Sequence, residues 1–207
     1  WPAHAGIVAA ELARAGMTGP ETVFEGGRGV FRAYAGDGAA GERLRARLLD
    51  LGRTWRLPEV ATKAYPRCHY IQPFLECAEA LAARGISADA IAALECLGPA
   101  EVAWLIAEPW PDKLRPASGH VAKFSLPYCL AAMLVDGRVD VATFDRAQPD
   151  PRLAPCMDRM TWRAMAESGF PDRYPGRLVL RLVTGEVHEA AVDDVRGSPG
   201  RPFQPAE

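Results

Sequence analysis

Residues 176–192 read GRLVLRLVTGEVHEAAV. Two strand-like runs meet at Thr184–Gly185, the pattern of a β-hairpin. This stretch decides the class, because residues 1–52 read as helix. Ile7, Val8, Leu12 and Ala15 recur near helical spacing until Gly16 stops the run. In TGPETVFEG (18–26), Pro20 and Glu21 suit a first helical turn, with a glycine-rich exit at GGRG. After a loop AYAGDGAAG (33–41), GERLRARLLDLG (41–52) sets Leu44, Leu48 and Leu51 on one stripe with arginines opposite.

From Trp55 the pattern changes. PFLECAEALAARG (73–85) predicts a helix opened by Pro73, with Phe74, Cys77, Ala78 and Leu81 on its apolar face and Gly85 at its end. Ser87 caps a second short helix, and AALECLG (92–98) runs on as a strand. EVAWLIAE (101–108) alternates in the manner of a strand. SLPYCLAAMLV (125–135) predicts an apolar helix with Ser125 as cap and Pro127 in its first turn, followed by a turn at DGR. PRLAPCMDRM (151–160) is a further short helical piece. The expected architecture is α+β: a small α/β domain over residues 59–196, preceded by a helical segment (1–58) and followed by an irregular tail (197–207).

Composition narrows the classes. The 207 residues are 49% hydrophobic and 24% charged, with a formal net charge of -2. That balance gives no reason to expect nucleic acid or an anionic membrane as partner, and no stretch approaches the roughly 20 apolar residues of a spanning helix. Cys68, Cys77, Cys96, Cys129 and Cys156 form no CxxC pair. They are expected as small buried groups in a reducing, cytoplasmic setting, and not as disulfides or metal ligands. The opening WPAHAGIVAAELARAG lacks an initiating Met and a basic region, so it reads as the interior of a domain and not as a signal peptide.

Two polar clusters precede apolar helices. In TKAYPRCHYIQP (62–73), Lys63 and Arg67 lie ahead of the helix opened by Pro73, where cations and helix amides can hold a carboxylate. His69 and Tyr65 can serve proton transfer; a solvated polar turn is the plainer reading of the same residues. In GHVAKFSLPYCL (119–130), His120, Lys123, Ser125 and Tyr128 gather at a helix start, where a phenol can donate to an anion. A half-buried core tyrosine is the alternative. His4 and His188 stand alone. There is no glycine-rich phosphate loop, HExxH or GxSxG.

These clusters also carry a resemblance. KAYPRCHYIQP and AKFSLPYCLAAMLVDGRV look like two hallmark segments of the MmgE/PrpD family. HAGIVAAELARAGMTGPETVFEGGRGVFRAY, YPGRLVLRLVTGE and GSPGRPFQP are similar to its central, hairpin and Gly-Pro segments, all in register. The resemblance implies dehydratase-type lyase chemistry on a small polycarboxylate such as 2-methylcitrate, without metal or organic cofactor. Epimerisation and decarboxylation are the other reactions of such enzymes, and a non-catalytic assembly subunit is the alternative of another class. It implies a lid domain preceded by the last part of a larger all-helical domain, with the remaining helices supplied outside this chain, usually in a homodimer. Lys63, Tyr128 and His69 then become candidate catalytic residues. Arg67, Gln72 and Ser125 become candidate substrate contacts. Gln72 stands where the family commonly has a histidine, and an amide keeps a hydrogen bond but discards a titratable group.

Overall fold

A computed structural model describes residues 1–36, 39–145 and 150–204. The chain forms two compact units, Trp1–Leu57 and Pro58–Glu207.

The first unit contains helix α1 (Pro2–Arg14), a single π-helical turn (Phe31–Ala35) and helix α2 (Ala40–Leu48). The helix expected in TGPETVFEG does not form. The carbonyls of Val23 and Phe24 accept from the N–H groups of Val30 (2.8 Å) and Phe31 (3.2 Å), so the chain doubles back through its glycines. Phe24 then meets Phe31 with ring centroids 5.8 Å apart. A contact seven residues away has replaced the i+4 ladder. The loop expected over residues 33–41 begins inside the π-helical turn, and Asp37 and Gly38 lie outside the described residues. In this unit the apolar side chains of Ile7, Leu12, Met17, Phe24, Leu44 and Leu48 are all exposed.

The second unit is built on a four-stranded sheet of order β2-β1-β3-β4. Strand β1 is Ile91–Gly98, β2 Met160–Ala164, β3 Gly176–Leu182 and β4 Val187–Val192. β1 pairs parallel with β2 and antiparallel with β3, and β3 and β4 form the expected hairpin. Helix α3 (Gln72–Ala82) lies against β3 and β4, and α7 (Leu126–Asp136) packs on α3. Short helices α4 (Ala103–Ile106), α5 (Trp110–Leu114), α6 (Gly119–Ala122) and α8 (Ala154–Met157) complete the β1–β2 crossover.

Apolar periodicity explains α3: Phe74, Leu75, Cys77, Ala78 and Leu81 are fully buried in a core shared with Leu94, Cys96, Leu126, Leu130 and Leu178. A Cβ on Gly176 would come within 2.8 Å of the Pro73 ring, so the start of β3 can approach the start of α3 this closely only as glycine. α7 is buried along Leu126–Met133, and its entry is fixed by the Ser125 Oγ, which accepts from the Tyr128 N–H at 3.1 Å.

Two readings need correction. EVAWLIAE is not a strand: it forms a 3-10 turn (Ala100–Val102) and α4, burying Val102, Ala103, Ile106 and Ala107. Those positions recur at helical spacing, which a strand reading overlooks. Strand β2 lies where no strand was anticipated, since MTWRA is short and takes its register from β1. The mixed fold class stands: an α/β unit preceded in sequence by an all-helical stretch.

Candidate functional site

A cleft of about 420 Å³ opens in the second unit. One wall is the loop before α3, with Lys63, Pro66, Arg67, Cys68, His69 and Tyr70. The facing side chains are His120, Lys123 and Phe124 around α6, and Tyr174 ahead of β3. The Cys68 N–H donates to the Lys123 carbonyl at 3.0 Å and joins the two walls. Lys63, Arg67, His69, His120 and Lys123 all line the cleft, and among the described residues no aspartate or glutamate does. The sequence clusters around 63–70 and 120–124 are therefore neighbours in space.

Arg67 is only 3% exposed. Its Nη1 donates to the Cys68 carbonyl at 2.8 Å, and its guanidinium lies over the Tyr65 ring at 4.9 Å. Nε and Nη2 are buried and find no hydrogen-bond partner among the described residues. Burial pushes the Arg67 pKa down to about 10, so the group stays charged at neutral pH. A buried cation without a carboxylate is costly, and an arriving anion relieves that cost. His69 packs edge-on against Tyr174, with centroids 4.8 Å apart, and neither ring nitrogen has a partner among the described residues. Burial lowers its pKa below the ordinary 6.5, and Arg67 and Lys63 push it further down. It is a neutral imidazole beside cations.

The loop carrying Lys63 is held from behind. Gln72, fully buried, accepts from the Ala64 N–H at 3.2 Å and donates to Glu76 Oε1 at 3.1 Å and to the Arg196 carbonyl at 2.6 Å. On the other side of Lys63, the Thr62 N–H donates to the Gly197 carbonyl at 2.8 Å. Gly197 has φ +82°, and a Cβ there would collide with the Thr62 carbonyl. Glu76 also accepts from the Arg196 N–H (2.8 Å) and Arg201 Nη1 (3.2 Å). Tyr65 donates to Glu79, which pairs with Arg196 Nη2 at 2.6 Å. Burial, followed by the bond to Glu79, raises the Tyr65 pKa far above its usual range. Gln72 and Tyr65 thus face this network and do not line the cationic cleft.

The MmgE/PrpD C-terminal domain family matches residues 65–207. The chain belongs to the MmgE/PrpD family. No curated protein matches it. The family match begins two residues after Lys63, so that lysine lies just outside the matched span.

Within this MmgE/PrpD domain, two expected site residues sit elsewhere. Tyr128 is 1% exposed; its hydroxyl donates to the Thr143 carbonyl and accepts from the Asp150 N–H, each at 3.3 Å. It lies on a separate small hollow with Asp136, Asp140 and Asp150, away from the cationic cleft. A helix start positions the backbone of residue 128, but the phenol extends into the core because α7 is apolar nearly all round. Ser125 is fully buried, accepting from the Tyr128 N–H and donating to the Lys113 carbonyl at 2.6 Å. Its hydroxyl is committed to capping. Phe124 and Tyr174 were not singled out as site residues in the sequence. Tyr174 carries no local signal, since it reaches the cleft only through the β1–β3 pairing.

All five cysteines are free and buried. Burial pushes the thiols of Cys77 and Cys129 up to about 12 and that of Cys156 up to about 11, and raises Cys68 as well, which leaves poor nucleophiles. Among the described residues, no three His, Cys, Asp or Glu side chains are grouped to hold a metal, and no helix is long and apolar enough to cross a membrane.

Proposed function

We propose that the cleft binds the carboxylates of a small polycarboxylate and forms one wall of an active site for lyase or isomerase chemistry beside a carboxylate. The observation that carries this reading is the lining: among the described residues it holds five basic side chains, one of them a buried arginine without a carboxylate, and no acidic one. Lys63 and Arg67 hold the substrate anion and stabilise the charge that grows as a proton leaves the adjacent carbon. His69, its pKa lowered and both ring nitrogens without a partner among the described residues, takes that proton. In dehydration the electron pair left by the proton forms the double bond as the neighbouring C–O bond breaks, and the leaving hydroxyl takes up a proton from an acid and departs as water. Epimerisation returns a proton to the opposite face, and in decarboxylation the carboxylate leaves as carbon dioxide while the electron pair left on carbon takes up a proton. Dehydration of 2-methylcitrate or a close analogue is the first choice, on the family resemblance. On the same ground the opposite wall comes from residues of the family's helical domain, in a homodimer or in a complex with a chain that supplies them.

Isothermal titration of the whole chain with tricarballylate, a tricarboxylate that lacks the hydroxyl, tests the reading. Saturable one-site binding that weakens as salt is raised is expected. Absence of binding at low salt, or equal binding of the neutral triamide, overturns it.

A further inference from the structure

Lys63 sits on an exposed loop with no helix or strand of its own, yet the peptide groups on both sides of it are tied down. The tie at Thr62 is to a backbone carbonyl. The tie at Ala64 is to a side chain, that of Gln72, whose amide makes three hydrogen bonds in a fully buried position. A side chain at the first residue of α3 therefore bridges the Lys63 loop to the backbone at Arg196. The same stretch of chain, through Gly197, holds Thr62.

We infer that Gln72 is a positioning residue for Lys63: it touches no substrate and acts by holding the lysine loop at the mouth of the cleft. The inference rests on the reading of the cleft as a carboxylate site. Three features select Gln72 for this task. Its length spans from the start of α3 to the Ala64 N–H while its Nε2 still reaches the Arg196 carbonyl at 2.6 Å. Its amide offers an acceptor and two donors, and all are used in directions no single carboxylate or hydroxyl reproduces. It carries no charge, so it stays in place over the whole pH range in which the cleft titrates. Glu76 supports it from the next turn, four residues along the same face, by accepting from both Nε2 of Gln72 and the Arg196 N–H.

A residue that acts through Lys63 has no effect where Lys63 is gone, and a double-mutant cycle reads that directly. Tricarballylate affinity is measured for the unsubstituted chain, Gln72→Met, Lys63→Met and the double variant. The expected result is a roughly tenfold loss for Lys63→Met, a loss of similar size for Gln72→Met, and no further loss when Gln72→Met is added to Lys63→Met. Gln72→Asn serves as the second variant where the methionine disturbs folding. It keeps the amide but is one methylene too short to reach both Ala64 and Arg196, and the same pattern is expected. No saturable binding by the unsubstituted chain overturns the reading of the cleft and this role with it. Binding that Gln72→Met and Gln72→Asn leave unchanged, or weaken equally with and without Lys63, overturns the role of Gln72 alone.

Discussion

At the scale of single residues, the cleft turns on charge without counter-charge. Arg67 and Lys63 depress the His69 pKa after burial has already lowered it, while Asp194 and Glu76 oppose them with smaller effect. Replacing Arg67 with Met removes one of the two named cations and should raise the His69 pKa, read from the imidazole C–H shifts in an NMR titration. An unchanged pKa would show that Arg67 is not felt at His69. The stability consequence has a definite sign. Because the folded state binds this proton less readily than the unfolded chain, stability falls as pH drops through and below the ordinary histidine value of 6.5. His69→Gln should flatten that part of the pH–stability curve. The sequence already displayed Lys63, Arg67 and His69, because a run of polar residues before an apolar helix is visible locally. It did not display how Gln72 and Tyr65 would turn away from the cleft. Their shared partner Arg196 is brought in by the return of the chain after β4, and Glu79 comes from the second turn of α3.

At the scale of elements, α7 was readable down to its cap, and the structure adds why the cap matters. Ser125 Oγ serves the Tyr128 N–H and also donates to the Lys113 carbonyl at 2.6 Å, so one hydroxyl ties α5 to α7 directly behind Lys123. Ser125→Ala should destabilise the domain by about 1–2 kcal/mol, the usual cost of an N-cap together with a buried carbonyl left unpaired. Chemical denaturation checks this, and a change below about 0.3 kcal/mol would mean that water replaces the hydroxyl at both partners. The elements that were misread share a cause. EVAWLIAE and TGPETVFEG are short, so a few residues fit either period, and the decision falls to contacts with distant residues. MTWRA is the opposite case, a strand made by its neighbour: Leu94 through Gly98 of β1 set its register. Tyr128 illustrates the same limit within a correctly read helix, where position relative to the cap was legible and the direction of the phenol was not.

At the scale of the whole molecule, burial is uneven. Among the described residues the buried apolar core lies in the second unit, with α3, β1 and α7 at its centre, and the cleft is formed where three parts of that unit converge. Lys63, Arg67 and Lys123 converge on the cleft with no acidic side chain lining it among the described residues, so their charges oppose one another, and burial of Arg67 adds to the cost. The domain retains a destabilising arrangement of a kind that function, more than folding, explains. This arrangement is the one proposed to hold a carboxylate. The most direct measurement is chemical-shift mapping of the whole chain, labelled with ¹⁵N, during titration with tricarballylate. Saturable shifts are expected at the Arg67 Nε–H, the His69 ring and the amides of residues 63–70 and 120–124, with little change at Tyr128 or Asp150. Shifts gathered around Tyr128, Asp140 and Asp150, or none that saturate, would contradict it.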